Sequence, residues 1–512
     1  MTSSEVTVIG YCNKTVEELR GLLESGKAYK LLKLKGEFTI VFKTETMVTI
    51  VTSYIGAMQY CYYYDGENFS HGKTILEIIK QMRLDWKWDW ESVGDLCELE
   101  NLTENRTLHK YIKKVPPGSI LQFDKRLTIH SSRFIDTIKA SDFADAVEAV
   151  DIFNEETAFW ASKKPYLSLS GGFDSRTILS SMLKQNIYPT LVTLGNDESS
   201  DIEVAREIAK SFGLDHIVVN LEVEELMENG VNIARITNGS KPACHWHTHL
   251  YPRKAQVPNT ESFYVGTLGE FARSYYFDKG IAGILLDVYG VHGQEVFWSS
   301  KLKRHRTFKD SEIDLLTPEL AAELDGGGQL YRSKRNARLS DGGVLTGGSR
   351  YYLEQRVPNF YANGITMYND TTQWRSPFHN IEWLKIIWNL SDNWKLGSNW
   401  HRLAIKRNFP KLLSFSEEKG FMQERMLSKA PPLYWLSIMQ RMKYKSYDLS
   451  DEWYRSKKIR EFILDNKESV GDICERVLVE KVLNEHQNGI NRVRAISFLL
   501  TMIYFKKALN NG

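Results

Sequence analysis

The chain has 512 residues, room for two or three domains, and its 42% hydrophobic and 25% charged content is the ordinary globular range. Lys plus Arg (66) nearly cancel Asp plus Glu (64), which gives no general reason to expect nucleic acid or an anionic membrane as a partner. The five scattered cysteines, Cys12, Cys61, Cys97, Cys244 and Cys474, lack CxxC spacing and argue against a disulfide framework; with no secretory signal and no apolar run beyond 496–505, a soluble cytoplasmic protein is expected.

Residues 1 to about 138 read as β-rich. Residues 35–43 (KGEFTIVFK) and 47–53 (MVTIVTS) are β-branched runs separated by turn residues, 60–64 continues the pattern, and VPPG at 115–118 turns the chain into a strand at 119–123. One short helix, 74–81, is expected among them. From about residue 140 the period changes. An amphipathic helix is expected over 143–161, then a short strand at 165–169, a helix over 175–185, a strand at 188–194, a helix over 201–212 stopped by Gly213, and a strand at 216–221. Strand, helix, strand, helix, strand predicts an α/β domain with a parallel sheet. Residues 324–350 are Gly-rich and read as a loop or lid, and the chain from about 370 reads as helical.

The chemistry concentrates in LSLSGGFDS, 167–175. The glycines Gly171 and Gly172 let main-chain N–H groups approach an anion, and the helix behind them adds free N–H donors and a partial positive charge. Ser170 and Ser175 add hydroxyls, which together make a site for phosphate or pyrophosphate. Asp174 repels a bare phosphate, so its presence argues for Mg2+ between carboxylate and phosphates. A Walker A loop needs a Gly-Lys-Ser/Thr ending, which is missing here.

SGGxDS after a buried strand resembles the pyrophosphate loop of enzymes that split ATP between its α and β phosphates, and within that group the chain resembles the asparagine-synthetase family. That resemblance implies a C-terminal parallel-sheet, adenine-nucleotide α-hydrolase-like (PP-loop) domain at 139–512 and ATP stacked between Leu169 and Leu194, with Gly195 following. The family's second motif, SGxGxDExFxGY, matches the stretch 264–276: Gly266 and Gly269 are kept, and the metal-binding aspartate falls on Glu270. Asp174 and Glu270 are therefore the candidate Mg2+ ligands. WRSPF at 374–378 resembles the family's Arg-Val-Pro-Phe segment, and SFSEEKGF at 414–421 resembles its catalytic-lysine stretch, with Lys419 the candidate one step out of register.

In the family the N-terminal half is a glutaminase of the N-terminal-nucleophile type, whose nucleophile is the cysteine after the initiator Met. Here residue 2 is Thr2, and the GEF strand begins at once, so 1–138 resembles a trimmed, degenerate version of that domain without its catalytic cysteine. Cys12 reads as a small core residue. Two further clusters stand out. CHWHTH at 244–249 is either polar lining of a substrate pocket or a zinc site, and KLKRHR at 301–306 is either a solvated helix end or a docking surface.

The resemblance implies an AMP-forming ligase that adenylates a small-molecule or peptide carboxylate with ATP and Mg2+ and passes the acyl group to an amine. The nitrogen is free ammonia, ammonia from a partner protein, or an amine of the substrate; β-lactam synthetases, lasso-peptide cyclases and sugar-amidating enzymes are the open relatives. The rival is a non-catalytic nucleotide-binding or scaffold protein that kept the fold.

Overall fold

The structure is a computed structural model that describes residues 4–138, 144–196, 199–273, 306–324, 343–395, 398–415 and 449–511. Its first part is antiparallel. Strands β1 (Glu5–Cys12), β2 (Gly36–Lys43), β3 (Val48–Thr52), β7 (Ser119–Phe123) and β8 (Leu127–Ser131) form a five-stranded sheet in that spatial order. A three-stranded sheet beside it has the order β5 (Phe69–Gly72), β4 (Cys61–Tyr64), β6 (Ile112–Lys114). Alternation along β2 explains its near-complete burial. Phe38, Ile40 and Phe42 pack with Leu19, Leu23 and Leu31, while Val41 joins Ile50, Tyr60 and Leu121 in a different cluster.

Three helices lie in this region rather than the one expected. Helix α2 (Ile75–Met82) is the expected one. Helix α1 (Val16–Glu24) starts from a Thr15/Glu18 capping box. Helix α3 (Trp90–Leu99) is buried continuously from Ser92 to Leu99, so it shows no amphipathic stripe to read.

After helix α4 (Ala146–Phe159) comes a second five-stranded sheet. Its order is β11 (His216–Val219), β10 (Thr190–Leu194), β9 (Tyr166–Ser168), β12 (Ser262–Tyr264), β13 (Gln373–Arg375), and every neighbouring pair is parallel. Helix α5 (Phe173–Lys184) links β9 to β10 and α6 (Ser200–Phe212) links β10 to β11. Gly213 ends α6 in a left-handed C-cap at φ 65°. Successive strand residues feed opposite faces. Leu191 packs with Ile178 and Ile208, and Val192 packs with Val219 and Leu250. The fold is thus mixed α/β with a parallel sheet.

Two expectations need correction. Residues 343–350 were expected to belong to the Gly-rich loop, yet they begin the helix Gly343–Tyr351, where burial of Tyr351 and of the adjoining Tyr352 outweighs the helix-weakening glycines. The remainder of that stretch, 325–342, lies outside the described residues, as do 301–305 of the basic cluster. The apolar run 496–505 forms the middle of the helix Val493–Asn511, buried almost throughout from Ala495 to Phe505. No helix among the described residues is long and apolar enough to cross a membrane.

Candidate nucleotide site

The chain leaves β9, fills β10 and β11 on one side, then returns to place β12 on the other side of β9. Strand order reverses at β9, and the crevice outside the carboxyl ends at such a point is where open α/β sheets bind ligands. The loop 169–172 leaves β9 at this crevice, Gly195 leaves β10, and the turn 265–270 leaves β12.

Helix α5 starts at Phe173, two residues earlier than expected, because Gly172 (φ −76°, ψ 162°) serves as its N-cap. Asp174 and Ser175 therefore occupy the first helical turn, where the helix dipole favours a carboxylate. The loop is tied to itself and to its surroundings. The Ser170 N–H donates to Ser175 Oγ at 3.2 Å, the Gly172 N–H donates to Ser170 Oγ at 3.2 Å, and the Gly171 N–H donates to Asp201 Oδ1 at 2.6 Å. Arg176, buried at 1% exposure, donates to the Gly171 carbonyl at 2.7 Å and to the Phe415 carbonyl at 3.0 Å. Replacing it leaves two carbonyls without this donor. Arg176→Ala is expected to lower the unfolding free energy by about 2–4 kcal/mol, read by urea denaturation, and to loosen the loop.

The β12 turn presses on the same helix start. A Cβ on Gly269 would stand 2.7 Å from Asp174 Cγ, and one on Gly266 would stand 2.9 Å from Asp174 Cβ. Between them Leu268 takes φ 75°, a strained value for leucine, held by complete burial. Asp174 Oδ2 lies 2.6 Å from Arg273 Nη2, and its Oδ1 lies 3.0 Å from His401 Nε2 on the helix Asn399–Asn408. Glu270 accepts from the Tyr352 and Tyr361 hydroxyls at 3.1 and 3.3 Å. Its carboxyl is held above the usual range by burial first and by the nearby Asp174 charge second. Burial likewise lowers the His401 imidazole, against the pull of Asp174.

A cavity of about 630 Å³ opens beside the loop. Leu169, Ser170, Leu194 and Asp201 line one part of it; Glu100, Cys244, His245 and Arg494 line another. Leu169 and Leu194, at the ends of neighbouring strands, are thus brought to one cavity together with Ser170. The wall does not include Asp174 or Glu270. Cys244 and His245 sit on a short 3₁₀ turn (Ala243–His245) before the helix His247–Lys254, and with His247 they line the cavity. Burial pushes the Cys244 thiol up to about 12 and the His245 imidazole well down. His249 instead faces Asp370 at 2.9 Å and is not part of the cavity wall. Lys419 lies outside the described residues.

The contributions of Arg176, Arg273 and His401 were not read from the sequence. Arg273 stands in the stretch 264–276 that holds Glu270, so its nearness was legible; His401 stands in NWHR, where no spacing signals it.

Residues 161–245 match the asparagine synthase family, a span that takes in the loop, β10, α6 and the Cys244–His245 pair. That stretch is asparagine synthetase-like. A 7-cyano-7-deazaguanine synthase from Psychromonas ingrahamii is 31% identical over 101 residues, which are 19% of this chain and 44% of that protein. The chain therefore matches less than half the length of this curated relative. An NMN synthetase structure from Francisella tularensis aligns with 39% of this chain and 95% of its own at 17% identity, with a TM-score of 0.20, too loose a superposition to add to the argument.

Proposed function

We propose that this asparagine synthetase-like chain is an ATP-dependent, AMP-forming ligase that joins a carboxylate to an amine. The reading rests on one observation above all: the SGGFDS loop leaves the central strand of a parallel sheet at its switch point, beside a cavity that Leu169 and Leu194 also line. The adenine lies between those leucines, with Gly195 beside it, and the phosphates approach the N-terminus of α5 near Ser170, Gly171, Gly172 and Ser175.

A substrate carboxylate oxygen attacks the α-phosphorus, the bond to the bridging oxygen breaks, and pyrophosphate leaves. An amine nitrogen then attacks the acyl carbon, AMP leaves and the nitrogen loses a proton. The protein's part is to hold the reacting groups in line and to meet the charge that develops on the phosphates. The Gly171 N–H now given to Asp201 is one donor suited to a phosphate oxygen. Lys419 is proposed to stabilise the same charge.

The donor set fits Mg2+. Two carboxylates come from two loops that only glycine lets meet, and Asp174 raises Glu270 as one anion raises another. Asp174 and Glu270 are the groups that would hold the ion, with Arg273 and His401 as the present partners of Asp174. When bound, the ion neutralises charge on the pyrophosphate leaving group.

Residues 1–138 are proposed to be a glutaminase-like domain that has lost glutamine hydrolysis, and 139–512 the synthetase part. Cys12, the only cysteine near the start, ends β1 partly buried, donates to the Lys14 carbonyl at 3.6 Å, and is held high by burial, the opposite of an activated thiol. The nitrogen is then ammonia or a substrate amine.

The test is an assay of the purified protein with ATP, magnesium and candidate carboxylates and amines. AMP and pyrophosphate in equal amounts, with no glutamate released from glutamine, are the expected products. ADP and phosphate as the products would refute the reading. ATP binding without any AMP from a broad panel of carboxylates favours the rival, a nucleotide-binding scaffold, which the engagement of Asp174 by Arg273 and His401 also suits.

A further inference from the structure

The cavity wall away from the loop brings together three side chains from distant stretches of sequence. Glu100, Cys244 and His245 place a carboxylate oxygen, a thiol sulfur and an imidazole nitrogen within 4.8 Å of one another. A four-coordinate ion with bonds of about 2.0–2.3 Å sets its ligand atoms roughly 3.5 Å apart, so small side-chain rotations close the set. Sulfur with imidazole and carboxylate is a donor set that selects zinc-class ions over magnesium or calcium.

The frame that carries these groups is fixed. The Ala243 N–H donates to Thr501 Oγ1 and the Cys244 N–H to Ser497 Oγ, both at 2.9 Å, which pins the 3₁₀ turn to the helix Val493–Asn511. Glu100 caps α3 in the left-handed conformation at φ 60°, with its N–H donated to the Leu96 carbonyl at 3.1 Å. Its carboxylate is ion-paired with Arg494. The His245 ring meets Phe360 edge-on at 5.0 Å between centroids. His245 Nε2 is buried with no hydrogen-bond partner among the described residues, so this ring nitrogen is available to a ligand.

We propose that Glu100, Cys244 and His245 form a zinc-class metal site in the wall of this cavity, with its remaining position open to the cavity. The thiolate and carboxylate together match the charge of a divalent ion, and Arg494 becomes the outer partner that orients Glu100. Three protein ligands and an open position are the pattern of sites that bind water or a substrate atom rather than merely brace a fold. The lining of one cavity by both Ser170 and this triad places such an atom in the same chamber as the loop. The proposal does not depend on the adenylation reading.

The experiment titrates the full chain with Co2+ and then with Zn2+. One equivalent of Co2+ is expected to produce a thiolate-to-cobalt charge-transfer band, which one equivalent of Zn2+ removes. Cys244→Ser is expected to abolish the band, and Cys12→Ser to leave it intact. Arg494→Gln, which keeps all three ligands, is expected to weaken Co2+ binding about 10–100-fold. If Cys244→Ser does not fold, the band and stoichiometry in the wild type and the shift in Arg494→Gln decide the matter. The proposal fails if the wild type takes up no stoichiometric cobalt or zinc, or if a folded Cys244→Ser protein keeps the band.

Discussion

Asp174→Asn is expected to lower AMP formation by about 10²–10³-fold while leaving the fold intact, because it removes the charge of one of the two carboxylates proposed to hold Mg2+ for the reaction. The substitution keeps the shape of the side chain, so the contacts with Gly266 and Gly269 survive. What it removes is the negative charge that Arg273 and His401 now face at 2.6 and 3.0 Å. Circular dichroism and a cooperative melt establish that the variant is folded, and turnover at saturating ATP and magnesium then reads the chemistry. A folded Asp174→Asn protein with near-normal AMP formation would remove Asp174 from the site.

Gly269→Ala tests the same place by steric means. The new methyl would lie 2.7 Å from Asp174 Cγ and 2.8 Å from its Cβ, atoms too close to the backbone to swing away cheaply. The loop after β12 and the start of α5 must separate, and a displacement of about 1 Å at a reacting centre costs on the order of 10²-fold in rate. Gly364→Ala is the control. It lies in the helix Ala362–Thr371 with nothing within 4 Å of the added carbon, and it is expected to raise stability by up to about 1 kcal/mol without touching turnover. Equal activity in Gly269→Ala and Gly364→Ala would mean that the close approach of the two loops is packing alone.

The parts of this molecule that were legible in the sequence are those in which local pattern and tertiary role agree. Strands β9, β10 and β11 are short apolar runs because both faces of a parallel sheet are covered, and α5 and α6 between them follow from their turn residues and Gly213. Helix α3 was invisible for the converse reason: buried on every side, and with Gly94 inside it, it has neither stripe nor propensity. Helix α1 was legible in principle, since Thr15 and Glu18 spell a capping box. At the site, the SGGFDS loop announced itself because its glycines and hydroxyls serve local backbone chemistry. Glu100, Arg494 and His401 announced nothing, because each stands in a remote segment: Glu100 and Arg494 meet only in the cavity wall, and His401 meets Asp174 only in the folded chain.

Hydrogen–deuterium exchange with and without ATP and magnesium tests the central claim most directly, since it needs no knowledge of the acceptor substrate. The account predicts slowed exchange in the amides of 169–176, with smaller protection at 194–196 and 266–273, and loss of that magnesium-dependent protection in Asp174→Asn. Unchanged exchange across 169–176 at saturating nucleotide would contradict it, whether ATP binds at another place or does not bind at all.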